Sequence, residues 1–399
     1  MQNRQKPNCE KGRINFITNL DLKDTSGGWT GINQQLFLNL SEHFEINYAG
    51  PISPPIDYHA KFVSKLNRIA GRQGTFHFFS RRRLLRIADE ILGLADPSAD
   101  YDFFHGQTPW IEYQSPRPYG VYIDACFSTY MDIYHTRSRF LESDIKRICD
   151  LESRWLSNAR NVFFGSKWAM EETLRIYSIP KLRCQVVGIA GNVPIPKKDG
   201  YSNELNFLFI ALDFERKGGR LCLEAFNRLR QEFPRAKLII LGEKPPRDVL
   251  ATPHVSYGGY LRKTIAAEFK LLQEFLMQAF ALIHPTSMDT MGMVLIEAGY
   301  FGCPAIAPRS FGIPELVRDG ITGLLVEPPP SIEAIAECML WLCRNPDSYF
   351  AMRKAVKEHA STVLTWNAVV NRIAKGIYES SGAKKERRKV ELTLAESPA

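Results

Sequence analysis

Three residues in the segment SMDTMGMVLIEAGYFGCPAIA (287–307) are placed to handle a phosphorylated ligand: Asp289, Gly292 and Glu297. The strand-like run FALIHP ends at a proline, a loop delivers Asp289, and Gly292 opens an apolar helical run that carries Glu297. A helix start leaves its first N–H groups without intrahelical partners, here those of Met291, Gly292, Met293 and Val294. Together with the helix dipole they form a phosphate site, and glycine lets the phosphate approach the backbone closely. Further along the same helix, the Glu297 carboxylate can accept hydrogen bonds from two adjacent hydroxyls, as acids do that hold a ribose diol. The same letters also describe a buried helix with one incidental acid.

A second segment, ALDFERKGGRLCLEAF (211–226), repeats the strand, loop, helix order, with Arg216 and Lys217 directly ahead of two glycines. Two cations beside helix-start N–H groups suit a diphosphate leaving group, which takes on negative charge as its bond breaks. A solvated basic turn is the plainer alternative. Both segments open parallel βα units, so both loops emerge on the same sheet edge.

The elements that must position these residues alternate along the whole chain. RINFITNL, EINYAG, DFFHG, YGVYID and NVFFGS read as strands, and 32–40, 81–94, 138–156 and 167–176 carry helical apolar spacing. After a Pro- and Gly-containing segment at 188–196 the pattern restarts with NFLFIALD, AKLIILG, HVSYGG, FALIHP, PAIAPR and TGLLVEP. Alternating units of this kind predict an α/β protein of two doubly wound parallel sheets facing each other across a cleft. The expected division is 1–190 and 191–365, followed by a helix at 366–381. The charged tail 382–399, without aromatics, is expected to be disordered.

Composition narrows the setting. The chain of 399 residues is 45% apolar and 24% charged, ordinary values for a globular protein. No signal peptide and no run long enough to span a bilayer is read, which predicts a cytoplasmic protein. Eight scattered cysteines, with no CxxC pair and no clustered His, read as reduced thiols and predict neither disulfides nor a metal site. The net charge of +8 is concentrated at 61–86, where eight cations, no acid and interleaved apolar residues form a basic amphipathic stretch. A solvated face, an anionic membrane surface or anionic acceptor, and nucleic acid compete as explanations. No nucleic-acid-binding signature accompanies the stretch, and no nucleic-acid partner is expected.

ERKGG, DTMGMVLIEAGYFGCPAIAP and FGIPELVRDGITGLLVEP together resemble the retaining glycosyltransferases of family 4, the group 1 transferases with a GT-B fold. The resemblance is close over the C-terminal half and loose over the N-terminal half. It implies two Rossmann-like domains, the first binding acceptor and the second binding a nucleotide-sugar donor, with a last helix from Trp366 crossing back to the first. Asp289 would hold hydroxyls of the transferred sugar, Glu297 the ribose, and Lys217 and Arg216 the diphosphate. Gly258, Tyr260 and Leu261 would line the base pocket. Gly27 and Gly28 match the glycine-rich first loop, and Asp124 falls near where relatives carry a His or Asp facing the sugar. The chain departs from the family pattern in having Asp289 for the more usual Glu, Ala211 where an arginine is common, Met291 for Phe, and Phe311–Gly312 for a double glycine. The implied activity is metal- and cofactor-independent front-face transfer to a glycan or glycolipid acceptor, peripheral on the inner face of the plasma membrane. A sugar-nucleotide epimerase and a donor-binding subunit without turnover are the rival readings.

Overall fold

The structure, a computed structural model, describes residues 11–24 and 27–380. The expected tail at 382–399 lies outside the described residues, as do Cys9 and residue 381.

The first half builds one parallel sheet. Its elements are β1 (Arg13–Ile17), α1 (Gly28–His43), β2 (Glu45–Ala49), α2 (Tyr58–Ile69), α3 (Arg81–Leu94), β3 (Tyr101–His105) and β4 (Tyr119–Ile123), then α4 (Phe127–Tyr134), α5 (Glu142–Asn158), β5 (Asn161–Phe164), α6 (Lys167–Ile176) and β6 (Cys184–Val186). The strand order is β2-β1-β3-β4-β5-β6, so the chain reverses its direction of travel between β1 and β3. Every residue of β3 and β4 is buried, which is why YDFFH and YGVYI are near-continuous apolar runs and not alternating ones.

The second half repeats the plan with β7 (Asn206–Ala211), α7 (Gly219–Glu232), β8 (Lys237–Gly242), α8 (Arg247–Leu250), β9 (Val255–Gly259), α9 (Ala266–Met277) and β10 (Ala281–Ile283), then α10 (Met293–Tyr300), β11 (Ala305–Pro308), α11 (Ile313–Leu316), β12 (Gly323–Val326), α12 (Ile332–Arg344) and α13 (Pro346–Val363). Its parallel order is β12-β11-β10-β7-β8-β9, with the reversal between β10 and β7. The last helix, α14 (Trp366–Ser380), returns to the first sheet, where Tyr378 stacks on Phe44 at 4.9 Å and donates to His43 O at 3.0 Å.

Two local expectations are corrected. The helix expected over 138–156 starts only at Glu142. Leu141 N donates to Gly74 O at 2.8 Å and Gly74 N to Arg139 O at 3.0 Å, and this pairing holds the preceding residues out of the helix. The basic stretch at 61–86 is not continuous either. It is split between α2 and α3, with Gly71 in the left-handed region at φ +72°. Asp57 caps α2 by accepting from Ala60 N at 3.1 Å, and its other oxygen accepts from Ser80 Oγ at 3.1 Å. Ser80 in turn caps α3.

A β-carbon at Gly376 of α14 would sit 2.8 Å from the Phe163 ring and 2.5 Å from Gln185 Oε1. In an exposed helix Gly→Ala stabilises by up to about 1 kcal/mol. Here overpacking wins, and Gly376→Ala is expected to destabilise by roughly 1–3 kcal/mol in urea unfolding. A gain in stability would place α14 off the sheet.

Candidate active site

The reversal points of doubly wound sheets are where ligands bind, beyond the carboxyl ends of the strands. The loops after β7 and β10 flank that point in the second sheet, and they carry Arg216–Lys217 and Asp289. Lys217 Nζ lies 2.9 Å from Asp289 Oδ2 and donates to Met288 O at 3.0 Å. Gly218, at φ +84°, caps α7, and a β-carbon there would stand 2.6 Å from Pro285 O. Only glycine lets the two loops meet so closely.

Asp289 is the centre of this cluster. Its Oδ1 accepts from Gly292 N at 2.9 Å, and His284 Nε2 stands 3.3 Å from its Oδ2. Burial alone would raise the Asp289 carboxyl, but His284 and Lys217 beside it outweigh burial and hold it well below the usual carboxylate range. Gly292 is the N-cap of α10, at φ +71° and ψ +71°. The helix proper starts one residue later than the sequence suggests, and Gly292 N is bonded to Asp289. Met293 and Val294 are left as the first-turn donors, while Met291 is buried against Gly312. Arg216 projects from the loop after β7 with its side chain mostly exposed, 3.7 Å from both Asp213 and Met288 Sδ.

Glu297 is buried on α10, where its Oε1 accepts from Asn192 N at 2.9 Å and pairs with Lys263. The carboxylate therefore ties together the segment joining the two sheets and the loop beyond β9. Tyr300, one turn on, accepts from Gly191 N at 3.0 Å, and Trp366 Nε1 donates to Gly191 O at 3.1 Å. Lys263, Asn192, Tyr300 and Trp366 line a cleft of about 480 Å³ with Gln34 of α1. Gly258 packs on Leu241 and Phe275, Leu261 packs into the core, and Tyr260 is exposed at the strand end.

The first sheet supplies the opposite wall. Gly27 caps α1, and a β-carbon on Gly28 would approach Met293 Cε to 3.3 Å, so the starts of α1 and α10 face each other. Asp124, just past β4, accepts from Thr290 Oγ1 at 3.4 Å. Burial, with the Asp289 charge adding to it, pushes its carboxyl up to about 6. Glu315 closes the gap elsewhere: its two oxygens accept from Lys167 N and Trp168 N, both at 2.8 Å, at the N-terminus of α6. Sequence reasoning missed His284, Thr290, Lys263 and Glu315. His284 and Glu315 lay inside segments singled out for their pattern, FALIHP and FGIPE. Among the described residues no three His, Cys, Asp or Glu side chains gather as metal ligands.

Residues 195–360 match the family described as glycosyl transferases group 1. The C-terminal domain belongs to the group 1 glycosyltransferases. The chain is 27% identical over 168 residues to a GDP-mannose-dependent alpha-(1-6)-phosphatidylinositol monomannoside mannosyltransferase of Mycobacterium tuberculosis, covering 40% of this chain and 43% of that protein. Similarity to a D-inositol 3-phosphate glycosyltransferase of Corynebacterium glutamicum is 24% over 303 residues, covering 69% of this chain and 71% of the relative. The chain thus spans less than half the length of the mannosyltransferase it matches. The sucrose-phosphate synthase of Thermosynechococcus elongatus superposes with a TM-score of 0.66 at 16% identity, over 94% of this chain and 100% of that one. Two six-stranded parallel sheets joined in this way are the GT-B fold. No described helix is long and apolar enough to cross a membrane.

The raised Asp124 carboxyl has a consequence for stability. The native chain keeps this proton to about pH 6, whereas an ordinary carboxyl releases it near 3.8. Between those values the native state binds more protons than the unfolded one, so this group's contribution falls as pH rises, by at most about 3 kcal/mol. Asp124→Asn is expected to remove that decline from the pH profile of the melting temperature between about 4 and 6. An unchanged profile would contradict the buried position.

Proposed function

We propose that this chain is a retaining hexosyltransferase that moves a sugar from a nucleoside-diphosphate donor to a glycan or lipid-linked acceptor. The observation that carries the reading is the meeting of Lys217, Asp289 and the Gly292-capped start of α10 at the reversal point of the group 1 domain. Lys217, Arg216 and the first-turn N–H groups of α10 stabilise the diphosphate as the bond from sugar C1 to phosphate oxygen breaks. The acceptor oxygen attacks C1 from the same face, and its proton passes to the departing phosphate oxygen. Configuration is therefore retained, and no metal enters any step. Asp289 orients Lys217 and faces the transferred sugar with Asp124, Glu297 takes the ribose hydroxyls, and Tyr260 borders the base.

One relative is named GDP-mannose-dependent, while a solved neighbour of the same fold, HepE from Anabaena, is in complex with UDP and glucose. Base choice rests on the loop beyond β9, where Tyr260 is exposed at the strand end. The proposed setting is the cytoplasmic face of a membrane, where a lipid-linked acceptor is accessible.

Lys217→Ala, checked for folding by circular dichroism, is expected to lower donor turnover by roughly 100-fold or more. Glu297→Ala is expected to act mainly on donor KM, because the ribose is held alike in ground and transition states. Chelation with EDTA is expected to leave the rate unchanged. Near-wild-type turnover in both variants would overturn the assignment.

A further inference from the structure

The helix α2 is built inside out. Of its residues only Ser64 is buried, and that contact is polar: Ser64 Oγ accepts from Thr75 N at 3.0 Å and donates to Thr75 O at 3.1 Å. The apolar residues point the other way. Tyr58 is 69% exposed, Phe62 60%, Leu66 48% and Ile69 73%. At about 100° per residue these four fall in an arc of about 80°, on the side opposite Ser64. Lys61, Lys65 and Arg68 lie on one shoulder between the two sides, and Arg72 follows the helix end. Lys61, Lys65, Arg68 and Arg72 are all exposed. A helix packed only against its own protein turns its apolar stripe inward. Here the stripe is left to the outside with cations along its flank.

We infer that α2 is a docking helix that lies in the surface of an anionic lipid bilayer, with Tyr58, Phe62, Leu66 and Ile69 among the acyl chains and Lys61, Lys65 and Arg72 at the lipid phosphates. An apolar stripe edged by cations is complementary to that surface and to no neutral apolar partner. The cations of α3 divide by the same criterion. Arg81 and Arg82 are exposed, but Arg83 is committed to the fold, since its Nε donates to Pro54 O at 3.1 Å and its Nη1 to Phe78 O at 2.9 Å. Arg83 is thus excluded from the lipid-facing set, although its place in the basic stretch had put it there.

The helix is also braced toward the candidate site. Beyond α2, Gly74 pairs with residues 139–141, and the Phe76 ring meets Phe127 at 5.3 Å and His135 at 5.4 Å. Phe127 and His135 bound α4, which begins three residues after Asp124. A bilayer under α2 would therefore present a lipid headgroup along α4 toward the cleft. This last consequence rests on the transferase reading, whereas the docking does not.

The test is co-sedimentation of the whole chain with vesicles of phosphatidylcholine alone, or with about one third phosphatidylglycerol, in low and high salt. Binding to the anionic vesicles only, weakened by salt, is expected. Phe62→Ser/Leu66→Ser/Ile69→Ser is expected to lower the partition coefficient at least tenfold, with an unchanged melting temperature because these side chains are exposed. Lys61→Ser/Lys65→Ser is expected to weaken binding to anionic vesicles and reduce its salt dependence. Absence of wild-type binding, or full binding by the triple variant, would overturn the inference. So would light scattering that shows a wild-type dimer and a monomeric triple variant, because the stripe would then belong to a second copy. Turnover on a water-soluble acceptor is expected to be equal in wild type and triple variant. Absence of wild-type vesicle binding with intact turnover therefore counts against docking alone, and wild-type vesicle binding without turnover counts against the transferase reading alone.

Discussion

The Lys217–Asp289 ion pair is the interaction on which the candidate site depends. It joins the loops of β7 and β10 across the sheet's reversal point, and the loops approach this closely because Gly218, in the left-handed region, sets no β-carbon against Pro285 O. Each partner is only about a quarter exposed. Removing one partner from a pair buried to this degree leaves an uncompensated charge, at a cost of up to about 3–5 kcal/mol. Asp289 does more than neutralise the lysine. Its second oxygen caps Gly292 N, so the charge that fixes Lys217 also fixes the start of α10. A diphosphate brought to that helix start would meet a cation already oriented, and little reorganisation would remain for the moment of bond breaking.

Across the cleft the two domains meet through polar contacts beside an apolar cluster that spans both. Glu315 places its carboxylate at the N-terminus of α6, where two unpartnered N–H groups and the positive end of the helix dipole favour an anion. Asp124 meets Thr290 through one hydroxyl, and the joining segment is clamped by Tyr300, Glu297 and Trp366. These contacts set Asp124 opposite Asp289. Two carboxylates facing each other are a reason for one to hold its proton, and burial assigns that role to Asp124, which has no cation of its own as Asp289 has Lys217.

The fold was legible because parallel strands buried on both faces are written as apolar runs closed by Gly and Pro, and eleven of the twelve strands in the two sheets were read in that way. The short edge strand Cys184–Val186 was not read, since its half-exposed residues carry no such run. Gly292, Lys217 and Asp289 were legible because the physics of helix starts is local. Glu315 and Lys263 were not, because each acquires its meaning from a partner distant in sequence: Glu315 from α6 and Lys263 from Glu297. The delayed start of α5 has the same cause, a backbone pairing with Gly74 that no local pattern announces. In α2 the mixture of apolar residues and cations was visible, but neither the helix nor the direction of its apolar face was. An apolar stripe records that a face exists, and only the packing shows that this one points away from the core.

Glu297 shows how one residue can be local in pattern and nonlocal in consequence. Its carboxylate oxygen Oε1 takes both the Asn192 N–H of the joining segment and the Lys263 ammonium. In the proposed reaction the same carboxylate receives the ribose hydroxyls. A diol arriving at Glu297 must share the carboxylate with these donors or displace one of them. Displacing Lys263 would free a cation within reach of the nucleotide, whereas displacing Asn192 N–H would loosen the clamp that Tyr300 and Trp366 also hold. The second route is the more costly, since the amide sits among bonds from three elements and would be left without its acceptor. The lysine, on a loop and long enough to follow the ligand, is the partner that can move. Donor binding would then rearrange the loop beyond β9 and leave the joint between the domains in place.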